Sequence, residues 1–135
     1  MSPSRRAERR AAAFLLYQRD LTGADPDALY AGYERDNGEP ATDYIRGHVE
    51  GAWGDRQALD AVVDSAAEGW SAERMAVLER NVLRLAVYEL RSGEVPAAVA
   101  IDEAVAIAKR YASPEAAVLV NGVLGRIARE EGVGR

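Results

Sequence analysis

Arginines cluster at the start of this 135-residue chain. Arg5, Arg6, Arg9 and Arg10 all fall within its first ten residues. Residues 1–19 hold five Arg and one Glu, a charge of +4, and because the whole chain carries −5, the other 116 residues carry −9. Guanidinium groups bind phosphates through paired hydrogen bonds and stack on bases. A localised positive charge on an otherwise negative protein therefore indicates a site for a polyanion, and nucleic acid fits best.

The spacing of these residues predicts a helix from Ser4 to about Asp20 with an ordered polar face. At about 100° per residue, Arg6, Arg10 and Tyr17 fall close to one line along the helix. Arg5 and Arg9 lie on the adjoining row. We expect this face to lie in solvent, where the arginines would neutralise phosphates and the Tyr17 ring would stack on an unpaired base. The opposite side offers four apolar residues for burial: Ala7, Ala11, Phe14 and Leu15.

Two simpler readings of these arginines remain open. The helix start could be a solvated basic end with Tyr17 half-buried. The chain has 17 basic residues, of which only Lys109 is lysine, and compositional drift explains that bias as well as phosphate binding does.

No pattern in the chain predicts catalysis, a cofactor or a metal site. The chain contains no cysteine, which excludes disulfides and thiolate chemistry. Its one histidine, His48, lies between Ile45 and Val49 without a ligand spacing, and we expect it in the core. Trp53 and Trp70 are likewise expected to be core anchors. Neither a phosphate-binding loop nor a paired nucleophile and base is present in the sequence, so we expect a binding protein and not an enzyme.

Helical periodicity extends along the whole chain, and no segment alternates convincingly as a strand does. Seven helices are predicted from residues that cap helix ends. Their predicted starts are Ser4, Asp25, Ala41 or Thr42, Asp55, Ser71, the segment after Pro96, and Ser113. The fifth helix holds Met75, Leu83 and Leu90, is apolar almost all round, and is predicted to be the central buried helix.

The length favours one all-α domain over residues 1–135, built as a helical bundle with frayed ends at 1–3 and 131–135. The sequence contains no apolar run long enough to span a membrane. Its basic start is not followed by the apolar segment of a secretory signal, so a cytoplasmic location is expected.

Three segments in matching order and spacing resemble the NusB family of bacterial transcription antitermination factors. Residues 78–90 (LERNVLRLAVYEL) resemble its central helix, residues 96–109 (PAAVAIDEAVAIAK) resemble the following helix, and residues 120–124 (VNGVL) resemble its last helix. The arginine-rich start leading to Leu16 and Tyr17 also matches. Residues 22–70 agree in helix pattern alone.

The resemblance implies an all-helical fold with two roughly perpendicular helical subdomains. It implies pairing with NusE, a small-subunit ribosomal protein, and joint binding of the single-stranded boxA element of nascent ribosomal-operon RNA. It also implies entry into the elongating RNA polymerase complex and no cofactor. Some relatives are dimers that hide the RNA surface and others are monomers, so a homodimer remains an alternative.

The resemblance also suggests roles for residues outside the first helix. Glu115 and Leu119, near the start of the last helix, match positions beside the RNA, although an aromatic residue often stands where Leu119 is and leucine stacks less well. Glu115 could equally be an acid favoured by the helix dipole. Glu79 matches an acidic position that faces NusE, with Arg80 next to it, and its alternative role is an ordinary exposed charge. Three further charged residues in apolar contexts are expected to pair inside the fold: Arg84, Glu89 and Glu103.

Two other functions fit the same sequence. A NusB-like module could act in ribosome biogenesis or ribosomal-RNA modification, as at the N-terminus of certain ribosomal-RNA cytosine methyltransferases. The chain could instead be a helical DNA-binding or dimerisation protein with a basic arm.

Overall fold

The computed structural model describes residues 3–69 and 71–132. Within those ranges it contains seven α-helices, one 3₁₀ turn and no strand, which confirms the all-α prediction. The helices are α1 (Arg5–Thr22), α2 (Pro26–Asn37), α3 (Asp43–Gly54), α4 (Arg56–Ala66), α5 (Val77–Ser92), α6 (Ala97–Tyr111) and α7 (Pro114–Glu130). The predicted fraying at residues 1, 2 and 133–135 and the predicted anchor Trp70 lie outside the described residues.

Four helix starts lie where local capping chemistry predicted them. The side chains of Ser4, Asp25, Thr42 and Ser113 each accept a hydrogen bond from a backbone N–H two or three residues further on. Such bonds satisfy N–H groups that have no partner within the helix. At the other end of α1, Gly23 adopts a left-handed conformation with φ of 68° and closes the last turn on the Arg19 carbonyl.

The predicted start at Asp55 is confirmed in position but not in its capping bond, and the predicted start at Ser71 is wrong. Asp55 precedes α4, but its side chain makes no capping bond. Ser71 begins a single 3₁₀ turn, Ala72–Arg74, and α5 starts only at Val77. The chain is extended at Met75, which places that side chain in the core at 4% exposure. Met75, the apolar residue that suggested an earlier start for the fifth helix, is thus buried from an extended segment and not from a helix.

Helix α5 lies at the centre of the fold and packs against α1, α3, α4, α6 and α7. Every residue from 81 to 87 on α5 is buried. The most extensive helix pair is α6 with α7. The prediction of a central fifth helix is therefore confirmed.

Helices α3 and α5 approach closely at Gly51. A Cβ atom there would lie 2.2 Å from the Tyr88 hydroxyl oxygen, so only glycine leaves room for that ring. One turn earlier, His48 is buried, stacks on Tyr44 at 3.8 Å between ring centroids and contacts the Tyr88 ring edge-on. The core position predicted for His48 is confirmed.

Trp53 is half-buried against the hydrophobic core, and the Arg19 and Arg56 guanidinium groups lie over its ring. Trp53 was predicted to be a core anchor, and it packs against the core from its edge. Among the described residues, none of the helices combines the length and the hydropathy of a membrane-spanning segment.

The buried face of α1 differs from the predicted one. Of the four apolar residues expected inside, Leu15 is buried, whereas Ala7, Ala11 and Phe14 are half-exposed. The face that packs against α3 and α5 consists of Glu8, Arg9, Ala12, Ala13, Leu15 and Leu16. The helix is rotated relative to the predicted orientation because Arg9 and Glu8 have charged or polar partners inside the fold.

Candidate nucleic-acid interface

Two of the four N-terminal arginines line a cleft between α1 and α6. The cleft has a volume of about 210 Å³, and Arg6 and Arg10 face it from α1. Arg110 and Tyr111 line the same cleft from the last turn of α6. We call these four residues the arginine cleft. It brings three guanidinium groups and one aromatic ring together, which is the chemistry that phosphates and unpaired bases require.

Arg6 is available to a ligand despite its ion pair. Its Nε donates to Glu103 Oε1 at 3.1 Å, and its side chain is 73% exposed. An exposed pair of this kind contributes about 0–1 kcal/mol, so a phosphate can replace Glu103 at little cost. Glu103 thus makes an ion pair between helices, as its apolar context suggested, but the pair lies at the surface and not inside the fold.

Arg9 does not lie on the solvent face, and that prediction is wrong. Its side chain is 6% exposed, and its Nε donates to Glu89 Oε2 at 2.8 Å. Arg9 shares a face with Ala12, Ala13 and Leu16, which follow it at helical spacing and face the core. Burial by itself would lower the pKa of Arg9, but the hydrogen bond and charge of Glu89 outweigh it, and the net shift is upward. The expected internal pairing of Glu89 is confirmed.

Arg5 points toward α3 and away from the arginine cleft. Its Nη1 donates to Glu8 Oε1 at 2.9 Å, and its guanidinium lies 4.1 Å from the centroid of the Tyr44 ring. Burial, and then the charge of Glu89, raise the pKa of Tyr44 to about 12, so the phenol stays neutral beneath Arg5. Arg5 and Arg9 were predicted to form one row on the solvent face. Instead, Arg5 stacks on Tyr44 at the surface, and Arg9 lies in the core.

Tyr17 lines a second groove, which has a volume of about 450 Å³. The groove lies where the end of α1, the start of α5 and the α6–α7 connection meet. We call its main side chains the tyrosine groove: Tyr17, Leu21, Leu78, Glu79 and Tyr111. Tyr111 lines both the tyrosine groove and the arginine cleft, so the two form one continuous surface.

Arg110 and Tyr111 were not predicted from the sequence as site residues. A basic and aromatic run at the end of the sixth helix, Lys109 to Tyr111, was the available signal. Its relevance depended on the position of α6 beside α1. There the Phe14 and Tyr111 rings meet at right angles with centroids 4.8 Å apart, which orients Tyr111.

The predicted partner residues Glu79 and Arg80 have different surroundings. Glu79 is partly exposed in the tyrosine groove. Arg80 donates to Asp20 Oδ2 from Nε at 2.9 Å and from Nη2 at 2.7 Å, and from Nη1 to the Ala72 carbonyl at 3.2 Å. The guanidinium of Arg80 is thus held inside the protein, which leaves Glu79 as the charge that this surface presents.

Asp20 is the centre of a polar cluster beneath the tyrosine groove. Its Oδ2 also accepts from Asn81 at 2.9 Å and from Arg84 at 3.0 Å, while Arg84 binds the two carboxylate oxygens of Asp60 at 2.7 and 2.6 Å. Burial alone would raise the pKa of Asp20, but the hydrogen bonds from Asn81 and Arg80 and the charges of Arg80 and Arg84 lower it overall. The structural role expected for Arg84 is confirmed.

Glu115 and Leu119 lie on the first two turns of α7. Glu115 is exposed, directly after the Ser113 cap and Pro114. Leu119 is half-buried and packs against the core. Neither residue lines the arginine cleft or the tyrosine groove.

The fold and this surface define a class of small helical proteins that present guanidinium groups and aromatic rings side by side to a flexible polyanion. Within that class the chain belongs to the NusB family, whose profile matches residues 6–129. The transcription antitermination protein NusB of Rubrobacter xylanophilus is 43% identical over 122 residues, which cover 90% of this chain and 87% of that protein.

Solved structures agree. T. maritima NusB superposes with a TM-score of 0.83 at 36% identity and covers 96% of this chain and 94% of its own. A chain in the crystal structure of the antitermination factors NusB and NusE in complex with double-stranded RNA gives a TM-score of 0.83 at 28% identity, over 93% of this chain and 96% of its own.

Proposed function

We propose that this protein is a transcription antitermination factor. Together with NusE it binds boxA-type single-stranded RNA of nascent ribosomal-operon transcripts, and the complex joins the elongating RNA polymerase in the cytoplasm. Membership of the NusB family supports this function. The observation that carries it is the continuity, through Tyr111, of the arginine cleft with the tyrosine groove.

In this proposal the arginine cleft binds the RNA backbone. Arg6, Arg10 and Arg110 neutralise phosphates, while Tyr111 and Tyr17 offer rings to successive unpaired bases. Each stacked base contributes about 1–3 kcal/mol. Arg9 contributes by fixing α1 through Glu89 and does not touch RNA.

Three further residues are proposed as peripheral RNA contacts. Arg5 is exposed at the start of the same helix, and Glu115 and Leu119 lie on the first turns of α7. Leu119 offers a smaller contact area than an aromatic ring would, so we assign it a minor contribution.

NusE is proposed to bind at the Glu79 side of the tyrosine groove. Glu79 supplies a negative charge for a basic ribosomal protein, and Leu21, which is 56% exposed, supplies apolar area beside it. Because Tyr17 lines the same groove, the partner and the RNA would meet there. Each would then strengthen the binding of the other.

The test is binding of one boxA-like RNA oligonucleotide, measured by fluorescence anisotropy with and without NusE. We expect single-stranded RNA to bind more tightly than duplex DNA of the same length, and NusE to tighten it further. Equal or stronger binding of duplex DNA would favour the DNA-binding alternative. Failure of the RNA to bind, with NusE or without, would favour a module that acts in ribosome biogenesis or ribosomal-RNA modification.

A further inference from the structure

A third groove lies between α1 and α2 and has a volume of about 660 Å³. Pockets of about 300–1,000 Å³ are typical of small-molecule sites. Its apolar lining comes from Phe14 on α1 and from Leu29, Gly32 and Tyr33 on α2. Arg10 lines this groove as well as the arginine cleft, so the two cavities adjoin at one side chain.

Polar groups surround the apolar lining. Gln18, Asp36 and Asn37 line the groove and offer amide and carboxylate groups, which match the donors and acceptors on the edge of a base. Asn37 is oriented by its own hydrogen bond to the Tyr33 carbonyl at 2.8 Å. The groove therefore combines half-buried aromatic rings with groups that recognise a base edge.

Charges of both signs line this groove. Asp36 and Glu39 line it together with Arg10 and Arg35, and Glu34 is exposed on the same helix. A carboxylate accepts a hydrogen bond from the amino group of a base, whereas guanidinium groups bind phosphates. A base can enter the groove, while its phosphates remain at Arg10 and in the arginine cleft.

We propose that the α1–α2 groove binds one base of the single-stranded RNA whose phosphates lie in the arginine cleft. This inference rests on the proposed function and adds a base-binding site to it. The strand crosses α1 at Arg10, and one base turns into the groove between Phe14 and Tyr33. Asp36 favours a base that carries an amino group over uracil.

Filling the groove tests the proposal. In Gly32→Leu the added side chain occupies the groove, and a Cβ at this position meets only the Arg35 Nη2 atom at 3.5 Å, an ordinary contact. Replacing a helical glycine also favours the helix, so we expect no loss of thermal stability. Ala31→Leu is the matched control, because Ala31 is exposed on the same helix and does not line the groove.

The measurement is fluorescence anisotropy with single-stranded RNAs of about four to sixteen nucleotides, the usual range of single-strand sites. We expect Gly32→Leu to weaken binding about 5- to 100-fold above a threshold length and to leave shorter RNAs unaffected. Ala31→Leu should match the wild-type protein at every length.

Several results would overturn the inference. Gly32→Leu could behave as Ala31→Leu does, or it could weaken every length equally. It could also change the oligomeric state in sedimentation while leaving RNA affinity unchanged, which would assign the groove to a second copy of this chain. If the wild-type protein bound RNA of no length, the proposed function itself would fail, which is a different result from a silent Gly32→Leu.

Discussion

Arg9 and Arg10 are neighbours in the chain and have opposite roles. Arg9 is buried and binds Glu89, whereas Arg10 lines two surface cavities. One residue along a helix is a rotation of about 100°, which is enough to move a guanidinium from the core to the surface. At the residue scale, the direction in which each arginine side chain leaves α1 decides whether it stabilises the core or is available to a ligand.

Removing two cleft arginines should weaken RNA binding. For Arg6→Ala with Arg10→Ala we expect lower affinity and a salt dependence reduced by up to about 0.7 per lost phosphate contact, because fewer counterions are released. The measurement is the slope of log affinity against log salt concentration. The control is the double variant Arg91→Ala with Arg129→Ala, which removes the same charge from exposed residues outside the arginine cleft. An unchanged slope in the cleft variant would contradict the cleft as the phosphate site.

Arg9→Ala should instead unfold the protein more easily. It leaves the Glu89 carboxylate, 4% exposed, without its charged partner, and loss of one member of a buried pair costs about 3–5 kcal/mol. Urea unfolding measures this loss. The double variant Arg9→Met with Glu89→Met should recover most of it, because no unpaired charge remains buried. A single variant as stable as the wild-type protein would show that the pair is not required.

Glu79→Arg should weaken NusE binding while the fold stays intact, since Glu79 is partly exposed in the tyrosine groove. A pull-down with NusE measures the effect, and circular dichroism checks the fold. Glu73→Arg, at an exposed residue of the 3₁₀ turn, is the charge-matched control. Wild-type affinity in Glu79→Arg would reject the assignment of this residue to the partner surface.

At the element scale, α3 and α5 are held together by a close contact that depends on one glycine. Gly51→Ala should lower the free energy of unfolding by about 1–3 kcal/mol, because the new methyl group overlaps the Tyr88 ring, which has to leave its packed position. Gly47, one turn earlier on α3, is surrounded by open space, and a Cβ atom there would meet no other atom within 4 Å. Gly47→Ala should therefore stabilise the protein by up to about 1 kcal/mol.

These two substitutions are chemically identical, and helix propensity acts on both in the same direction. Thermal unfolding of both variants thus isolates the contact between the helices. Equal effects would show that the Tyr88 ring can leave its position between α3 and α5 without cost.

At the scale of the whole molecule, two carboxylates link different helices. Asp20 on α1 binds Arg80, Asn81 and Arg84 on α5. Glu50 on α3 accepts from Arg19 on α1 at 3.0 Å and from the Tyr30 hydroxyl on α2 at 2.7 Å. Although burial opposes the shift, these hydrogen bonds and charges lower the pKa of both carboxyl groups.

Acid should therefore destabilise the protein, because protonation of the Asp20 and Glu50 carboxylates weakens the contacts that they make between helices. A carboxyl with a lowered pKa contributes stability above its ordinary value, here 3.8 for Asp and 4.5 for Glu, and that stability is lost as the pH falls through the folded-state pKa. Asp20 should dominate, because Glu50 is half-exposed and more strongly screened.

The measurement is the urea midpoint between about pH 6 and pH 2, the range in which such carboxyls titrate. Asp20→Asn should be less stable than the wild-type protein at neutral pH, and its stability should change less with acid. An identical pH profile in the two proteins would show that Asp20 does not link α1 to α5.

The amino-acid sequence by itself determined the helices and most of their boundaries. Ser4, Thr42 and Ser113 cap helices through hydrogen bonds to residues three positions away, so the information lies within one turn. The apolar periodicity of residues 77–92 was enough to identify the central helix, because a helix that is apolar on almost every side packs against neighbours on almost every side. The start at Val77 was missed because Met75 reaches the core from an extended backbone.

The tertiary structure decided which charges are free to bind. Arg9 is buried because Glu89, eighty residues later in the chain, lies opposite it on α5. Arg110 and Tyr111 join the arginine cleft because α6 ends beside α1. Helix formation depends on neighbours within a few residues, whereas the rotation of a helix and the partners of its side chains depend on contacts between distant segments.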